Sequence, residues 1–393
     1  MGAKQYAYVN CDMLKWARGE TPFASIHSVI ERVKDFTHEK LQAWESGEEF
    51  PSITEAKKLA TIYDVPFACF YFSSIPTKKI RPYTDRRILF GSQPGTISYE
   101  LWHEIRRLQS NRESALEIVT NIASIYPLIP SISSGDDVRI VAKKIRDFIG
   151  LNSPFPYKSV YGNNAFNYFR RLFENKGIMV AQISGVEITE IRGLSLSYDN
   201  LPIIGVNAKD WERSKVFTLF HEMVHLLRHS SSLCMIDFDD RNDDEEKICD
   251  RIAAEALLPE PNFRAVATNV KLNYVDWDYN CLVSIADKYA VSILVVLRRL
   301  YETGVISKSQ YINRYEELEK EFLENREIIE KKREKNSIVV EYFYRYLNQQ
   351  GYLYPKIVLS AYANGVITYG EMCCTLNVNP IHIANIEQAV MFK

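Results

Sequence analysis

Two histidines and a glutamate occur as HExxH within residues 217–227, which read FTLFHEMVHLL. Residues four apart lie on one face of a helix, so His221 and His225 can offer two imidazole nitrogens to one metal ion. Glu222 is offset by about 100° from His221, close enough to reach a water on the metal without binding the metal itself. This division of roles suits zinc-assisted hydrolysis of an amide, in which the carboxylate takes the proton of the attacking water.

The competing interpretation is a core helix whose histidines simply hydrogen-bond to neighbouring groups. Apolar side chains surround the motif on nearly the whole helix circumference, which predicts that the helix is buried. They are Val216, Phe217, Leu219, Phe220, Met223, Val224, Leu226 and Leu227. Burying two histidines and a glutamate without partners would cost several kcal/mol, and a metal ion would satisfy all three.

A third protein ligand is expected downstream of the motif. Residues 246–250 read EKICD, which places Glu246 and Asp250 on one face of a second helix. Glu246 would then be the third ligand, and Asp250 would accept the N–H of a ligating histidine. Two histidines and one glutamate leave the open fourth position that a catalytic zinc requires. Glu245, Glu255 and His229 are the competing choices.

These segments resemble the ImmA/IrrE family of metallopeptidases, whose zinc site is similar to that of the gluzincins. The resemblance is carried by Phe217–Leu227, by EKICDRIAAEALLP at Glu246–Pro259, and by the short strand-like segments Ile191–Leu196 and Pro202–Asn207. It implies one zinc ion per chain, with His221, His225 and Glu246 as ligands and Glu222 as the general base.

The resemblance also implies a function, which is cleavage of a partner transcriptional repressor after stress or another signal. The substrate would be a helix-turn-helix repressor, and an extended substrate strand would pair with a sheet edge around Leu194–Ser197. The alternative function is a DNA-binding regulator or antitoxin whose peptidase-like domain is not used catalytically. A purely structural zinc is a weaker alternative, because Glu222 would then have no role beside the metal.

Composition places the chain among ordinary globular proteins. Of its 393 residues, 46% are hydrophobic and 25% are charged, and the formal net charge is −2, which argues against a generally basic nucleic-acid binder. No apolar run approaches the roughly 18–20 residues that span a bilayer. The seven cysteines contain no CxxC pair, and Cys234 and Cys249 are expected to be structural thiols rather than an inhibitory fourth zinc ligand. We therefore expect a cytoplasmic protein without membrane contact, and the sequence leaves its oligomeric state open.

The N-terminal residues predict a compact set of four helices, at Cys11–Gly19, Ser25–Asp35, 37–45 and Ile53–Tyr63. The order helix, helix, Trp-Glu-x-Gly, Pro, helix resembles repressor-type helix-turn-helix modules, in which the third helix reads DNA. That helix carries three side chains that could contact DNA or a partner protein: His38, Lys40 and Gln42. Residues 1–75 hold eight Lys and Arg against ten Asp and Glu, so they offer little phosphate neutralisation. Weak DNA binding, docking of a repressor and a structural remnant all remain open.

We predict a mainly α protein with a small β-sheet (α+β), built on a gluzincin-like HExxH core. Strands are expected at 178–182, Ile188–Leu196 and Leu201–Val206, and Ser230–Glu246 is expected to be a solvated loop. The predicted regions are a helix-turn-helix-like module at 1–75, a linker at 76–98, the zinc peptidase domain at 99–305, a long charged helix at 306–336 and a C-terminal helical element at 337–393. The charged helix would be a linker arm or a dimerising helix.

Overall fold

The computed structural model describes residues 5–23, 25–32, 36–76, 97–119, 125–133, 135–151, 164–230, 232–234, 244–274, 276–318, 320 and 341–391. The chain divides into two compact units, Met1–Ser110 and Asn111–Lys393. Most of the predicted linker at 76–98 lies outside the described residues. Residues 321–336 of the predicted charged helix lie outside them as well.

The first unit begins with four short helices that surround an apolar core. They are α1 (Cys11–Gly19), α2 (Ile26–Arg32), α3 (His38–Ser46) and α4 (Ile53–Ile62). Local capping residues set their ends, because an N-cap side chain satisfies a free backbone N–H and a left-handed residue ends a helix. Thr37 caps α3, which Gly47 ends at φ +81°, while Ser52 and Glu55 form a capping box on α4. A longer helix, α5 (Tyr99–Ile118), follows and runs past the end of the unit.

The second unit contains helices that pack against a small sheet. Its described helices are α6 (Val138–Ile149), α7 (Ala165–Glu174), α8 (Glu212–Leu227), α9 (Asp244–Leu257), α10 (Glu260–Lys271), α11 (Tyr279–Tyr289), α12 (Ile293–Glu302), α13 (308–318), α14 (Tyr342–Gln350), α15 (Leu353–Ala363), α16 (Tyr369–Leu376) and α17 (Ile383–Met391). Together with the sheet, they confirm the predicted mainly helical α+β class.

The sheet has four strands in the described part of the chain, in the order β1-β3-β2-β4. They are β1 (Met179–Ile183), β2 (Gly193–Leu196), β3 (Ile203–Asn207) and β4 (Ser232–Cys234). Strands β1 and β3 are parallel and wholly buried, whereas β2 is antiparallel to both of its neighbours. β4 was not predicted, because it lies in the segment Ser230–Glu246 that was expected to be a loop.

No single helix of the described residues is long and apolar enough to cross a membrane. Helices α11 and α12 reach the length and apolar composition of a membrane span only when the two are counted as one segment. The chain bends by 96° at the break between them.

The C-terminal helices are anchored to the sheet by a buried pair on α7. Arg170 is fully buried, and its guanidinium donates to the carbonyl oxygens of Val180 and Asn348. Glu174 accepts from the backbone N–H groups of residues 352 and 353, just after α14 ends. Gly351 is required there, since a Cβ at this position would lie 2.5 Å from the Val180 carbonyl oxygen.

We expect Glu174→Ala to loosen the C-terminal helices, because it leaves two backbone N–H groups and the Arg170 guanidinium without their carboxylate. The free energy of opening α14 should fall by about 2 kcal/mol, which means roughly 30-fold faster amide exchange there. Hydrogen exchange read by mass spectrometry measures this change. Glu387→Ala, which removes an exposed glutamate from α17, serves as the control. Equal exchange in both variants would contradict the anchoring role.

Candidate metal centre and active site

The HExxH helix α8 is buried along most of its length, as its apolar pattern predicted. His221 and His225 are each 5% exposed and Glu222 is 0% exposed. Phe220 packs edge to face against Phe169 and Phe173 of α7, so the helix is held from the side opposite to the motif's polar groups. These side chains are thereby fixed on a rigid element.

Helix α9 brings a carboxylate to the two imidazoles. Nε2 of His221 lies 3.1 Å from Oε2 of Glu246 and 3.2 Å from Nε2 of His225. The remaining distance, from His225 Nε2 to Glu246 Oε1, is 3.4 Å. Among the described residues, this trio offers ligand atoms within 4.8 Å of one another and could hold a metal ion. The structure thus brings together the three residues that the sequence predicted as metal ligands.

The hydrogen-bond partner of Nδ1 determines which nitrogen of His221 carries the proton and which is free to face the cluster with its lone pair. Nδ1 of His221 lies 2.9 Å from Oδ1 of Asp250, and an ionised carboxylate only accepts hydrogen bonds. Nδ1 therefore carries the proton and Nε2 presents its lone pair to Glu246 and His225. Arg298 holds the other oxygen of Asp250, with Nη1 at 3.4 Å from Oδ2. Asp250 occupies the predicted orienting position.

The donor set fits a tetrahedral zinc ion. Bonds of about 2.0–2.1 Å at tetrahedral angles place ligand atoms about 3.3–3.4 Å apart, close to the three distances found here. The cluster joins two imidazole nitrogens and a carboxylate, which are the ligand types that zinc takes in catalytic sites. Burial also lowers the pKa of His225, which favours the neutral imidazole that metal binding requires. The residues present therefore fit a metal ion.

Glu222 follows His221 in sequence, but its carboxylate is not one of the three groups that converge in the cluster. One carboxylate oxygen, Oε2, accepts a hydrogen bond of 2.8 Å from the Ser232 hydroxyl on β4. The other oxygen, Oε1, is buried and has no hydrogen-bond partner among the described residues. An unfilled acceptor on a buried carboxylate is suited to receive a proton from a bound water.

A cavity of about 490 Å³ opens next to the cluster. Its apolar wall comes from Phe217, Ala254, Leu294 and Val295, and its polar groups include Arg192, Ser214, Lys247 and Arg298. His221, Glu222 and Glu246 line the same cavity. A concave, mostly apolar space with a few convergent polar groups is the usual form of a substrate site.

Two tyrosines of α13 also line this cavity, Tyr311 and Tyr315. In the sequence, both fit a sparse apolar stripe along the predicted charged helix at 306–336, and no residue can be singled out as the group that stabilises the oxyanion. Their spacing of four residues is the same for a packing stripe and for a cavity wall, so periodicity alone could not separate the two. Burial raises the pKa of Tyr311, which keeps its hydroxyl protonated as a donor.

The competing choices for the third ligand lie elsewhere. Glu245 pairs with Arg228 at 2.7 Å on the exposed side of the helix. Glu255 is buried in an ion pair with Arg299, and His229 sits exposed in a left-handed turn after α8. Burial raises the pKa of the Cys249 thiol to about 12, so Cys249 is a neutral core thiol rather than a metal ligand. The side chain of Cys234 lies outside the described residues.

The predicted substrate edge is corrected by the structure. Leu194 and Ser195 of β2 pair with β3 on one side and with β4 on the other. The chain's own residues 232–234 therefore cover part of the edge that was expected to receive a substrate strand. The expectation relied on analogy, and the three serines and the acidic residues between α8 and α9 favoured a loop over the short apolar run at 233–236.

The N-terminal candidates are presented on the surface of α3. His38, Lys40 and Gln42 are all exposed, and Lys40 lies 3.6 Å from the Glu55 carboxylate. The neighbouring acidic residue offsets part of the positive charge that phosphate contacts would need. DNA or partner binding by this helix remains a prediction.

Residues 174–301 match the family model Peptidase_M78, described as the IrrE N-terminal-like domain. The match covers the segment that holds the three-ligand cluster, Glu222, Asp250 and Arg298, and it supports the ImmA/IrrE family and a metallopeptidase core. It ends before α13 and includes none of the first unit. No curated protein and no solved structure matches the chain.

We expect Glu246→Ala to weaken zinc binding more than about 100-fold. Removing a residue that only hydrogen-bonds to a metal ligand weakens binding by roughly 10- to 100-fold, and losing a ligand itself should weaken it further. The substitution removes a carboxylate from the three-atom cluster. Glu245→Ala is a matched control, since it removes the adjacent carboxylate from a surface ion pair. Competition with a chelator of known affinity measures both variants, and equal zinc affinity would show that Glu246 is not the third ligand.

We expect Asp250→Asn to weaken zinc binding by roughly 10- to 100-fold while leaving the stoichiometry at one ion per chain. Asparagine can turn its amide N–H toward His221 and so lose the fixed tautomer that exposes the Nε2 lone pair. The same chelator competition measures this change. Wild-type affinity in Asp250→Asn would contradict the orienting role of this carboxylate.

Proposed function

We propose that this chain is a cytoplasmic, zinc-dependent endopeptidase that hydrolyses a peptide bond in a partner protein. We further propose that the partner is a helix-turn-helix transcriptional repressor, whose cleavage relieves repression in a stress or defence response. The observation that carries the enzymatic part is the convergence of His221, His225 and Glu246 beside a buried Glu222 at the edge of a cavity.

The residues of the chain divide the work of hydrolysis. Zinc, when bound to the cluster, would polarise the scissile carbonyl and lower the pKa of a coordinated water. Glu222 accepts a proton at Oε1 and later delivers it to the leaving amine. The hydroxyl of Tyr311 or Tyr315 would donate to the carbonyl oxygen as negative charge develops there.

The cavity also supports a preference in the substrate. Phe217, Leu294 and Val295 form an apolar wall close to the metal ligands, so a bulky apolar side chain next to the scissile bond would be bound best. The repressor as a substrate is supported by the family resemblance and by the match to the IrrE-like model, rather than by the shape of the cavity.

The second candidate function is a DNA-binding regulator or antitoxin that does not use its peptidase-like segment. It is favoured by the exposed His38, Lys40 and Gln42 on α3. This function would be indifferent to the loss of the Glu222 carboxylate, because DNA binding needs no proton acceptor. Sequence-specific DNA binding that survives the loss of Glu222, together with no proteolysis, would identify it.

The test of the proposed function compares new protein N-termini in cells that naturally produce this chain, with and without DNA damage. One strain carries wild-type protein and the other carries Glu222→Gln, which keeps the three-ligand cluster but removes the proton acceptor. We expect a new N-terminus inside one helix-turn-helix repressor, present only with wild type, while both purified proteins bind zinc equally. Identical N-termini under every condition, with zinc bound in both, would contradict the peptidase function.

We expect one of two substitutions, Tyr311→Phe or Tyr315→Phe, to lower kcat roughly 100-fold with little change in KM, since it removes a donor to the developing oxyanion. Tyr301→Phe is the matched control, because its ring stacks on Tyr311 at 5.1 Å but does not line the cavity. The kcat and KM of all three variants are measured by steady-state cleavage of a repressor fragment that contains the cleavage site found in the preceding experiment. If neither cavity tyrosine affects kcat, the oxyanion donor lies elsewhere.

A further inference from the structure

A chain of two serine hydroxyls leads to the carboxylate of Glu222. Ser195 on β2 and Ser232 on β4 face each other in the antiparallel register, and their Oγ atoms are 2.8 Å apart. Ser232 also donates to Oε2 of Glu222 at 2.8 Å. A hydroxyl has a single proton. Because Ser232 donates its proton to the carboxylate, it must accept a hydrogen bond from the Ser195 hydroxyl. The direction of the chain is therefore from Ser195 to Ser232 to Glu222.

The strength of this arrangement comes from burial. Ser195 and Glu222 are both 0% exposed, so neither can turn to solvent for another partner. A hydrogen bond to an ionised carboxylate is shorter and stronger than one between neutral groups, and linked hydroxyls polarise one another. Losing the Ser232 hydroxyl would leave the buried Oε2 of Glu222 without the group that donates to it, which is the costly way to break a hydrogen bond.

The opposite side of the carboxylate is closed by the backbone of β2. A Cβ placed on Gly193 would lie 2.7 Å from Oε1 of Glu222 and 2.4 Å from Cγ2 of Thr218. Only a glycine at this position lets the strand pass so close to the helix. Glu222 is thus confined between Gly193 and Ser232, with Oε2 hydrogen-bonded and Oε1 without a described partner.

We propose that Ser232, oriented by Ser195, is a positioning residue for Glu222. It holds Oε2 so that Oε1 is the oxygen that receives the proton in catalysis. The proposal rests on the proposed peptidase function and extends it to β4, a strand that the sequence did not predict. It also gives this three-residue strand a role, because pairing with β2 places Ser232 opposite Ser195.

The first arm of the test uses full-length protein and the repressor fragment that wild type cleaves. We expect Ser232→Ala to lower kcat by roughly 10- to 100-fold, with KM and zinc affinity unchanged, because a displaced carboxylate misaligns the proton transfer. Ser232→Thr keeps the hydroxyl and should restore most of the rate, and Ser195→Ala should cause a smaller loss of kcat.

Ser230→Ala is the control for this arm. Ser230 lies two residues earlier, and its hydroxyl donates to the His225 carbonyl oxygen rather than to Glu222. Wild-type kcat in Ser232→Ala would overturn the positioning role. A raised kcat would overturn it as well, because it would mean that β4 restrains Glu222 in an unproductive position.

The second arm needs no activity and uses metal-free protein. Urea unfolding is measured for wild type, Ser232→Ala, Glu222→Ala and the double variant. We expect Ser232→Ala to lower the midpoint more when Glu222 is present than when Glu222 is already alanine. The bond from Ser195 is lost in both backgrounds, whereas the bond to Glu222 is lost only in the first.

The two arms separate the positioning role from the proposed function. Equal midpoint shifts in both backgrounds would show that the hydrogen bond does not exist in solution, and would overturn the positioning role whether or not wild type cleaves a substrate. Unequal shifts together with no cleavage by wild type would support the contact and count against the peptidase function.

Discussion

The structure of the second unit depends on one constraint, which is that two imidazoles and a carboxylate are buried on a single helix. Groups of this kind are costly inside a protein unless each has a partner. Nδ1 of His221 is satisfied by Asp250 and Oε2 of Glu222 by Ser232, and Nε2 of each histidine converges with Glu246 on a point that a cation would fill. The partners come from α9 and β4, so the cluster fixes how these elements pack against α8.

Structural features that depend on residues close together in sequence could be predicted. Helix α3 begins and ends where Thr37 and Gly47 cap it, and α4 begins at the capping box of Ser52 and Glu55, because each signal lies within one turn of the helix it sets. The convergence of Glu246 and Asp250 on one face followed from their spacing of four. A buried HExxH helix followed from the apolar residues around it.

Features that depend on distant contacts could not be predicted. Strand β4 exists because residues 232–234 pair with β2, which is about forty residues away in sequence. The apolar run at 233–236 is too short to predict a strand among the serines and acidic residues around it. Arg298 reaches Asp250 from α12, and the tyrosines of α13 reach the cavity although their spacing fits an ordinary packing stripe. For the same reason Leu194 was predicted to lie at an open edge that the chain itself covers.

We propose that the cluster on α8 and α9 binds one zinc ion with an open coordination position. An anomalous difference map tests this, from crystals of the purified full-length protein with data collected on both sides of the zinc absorption edge. We predict one peak that lies about 2.0–2.2 Å from Nε2 of His221, Nε2 of His225 and a carboxylate oxygen of Glu246. A zinc peak bound by other residues, or none here after zinc is supplied in excess, would contradict it.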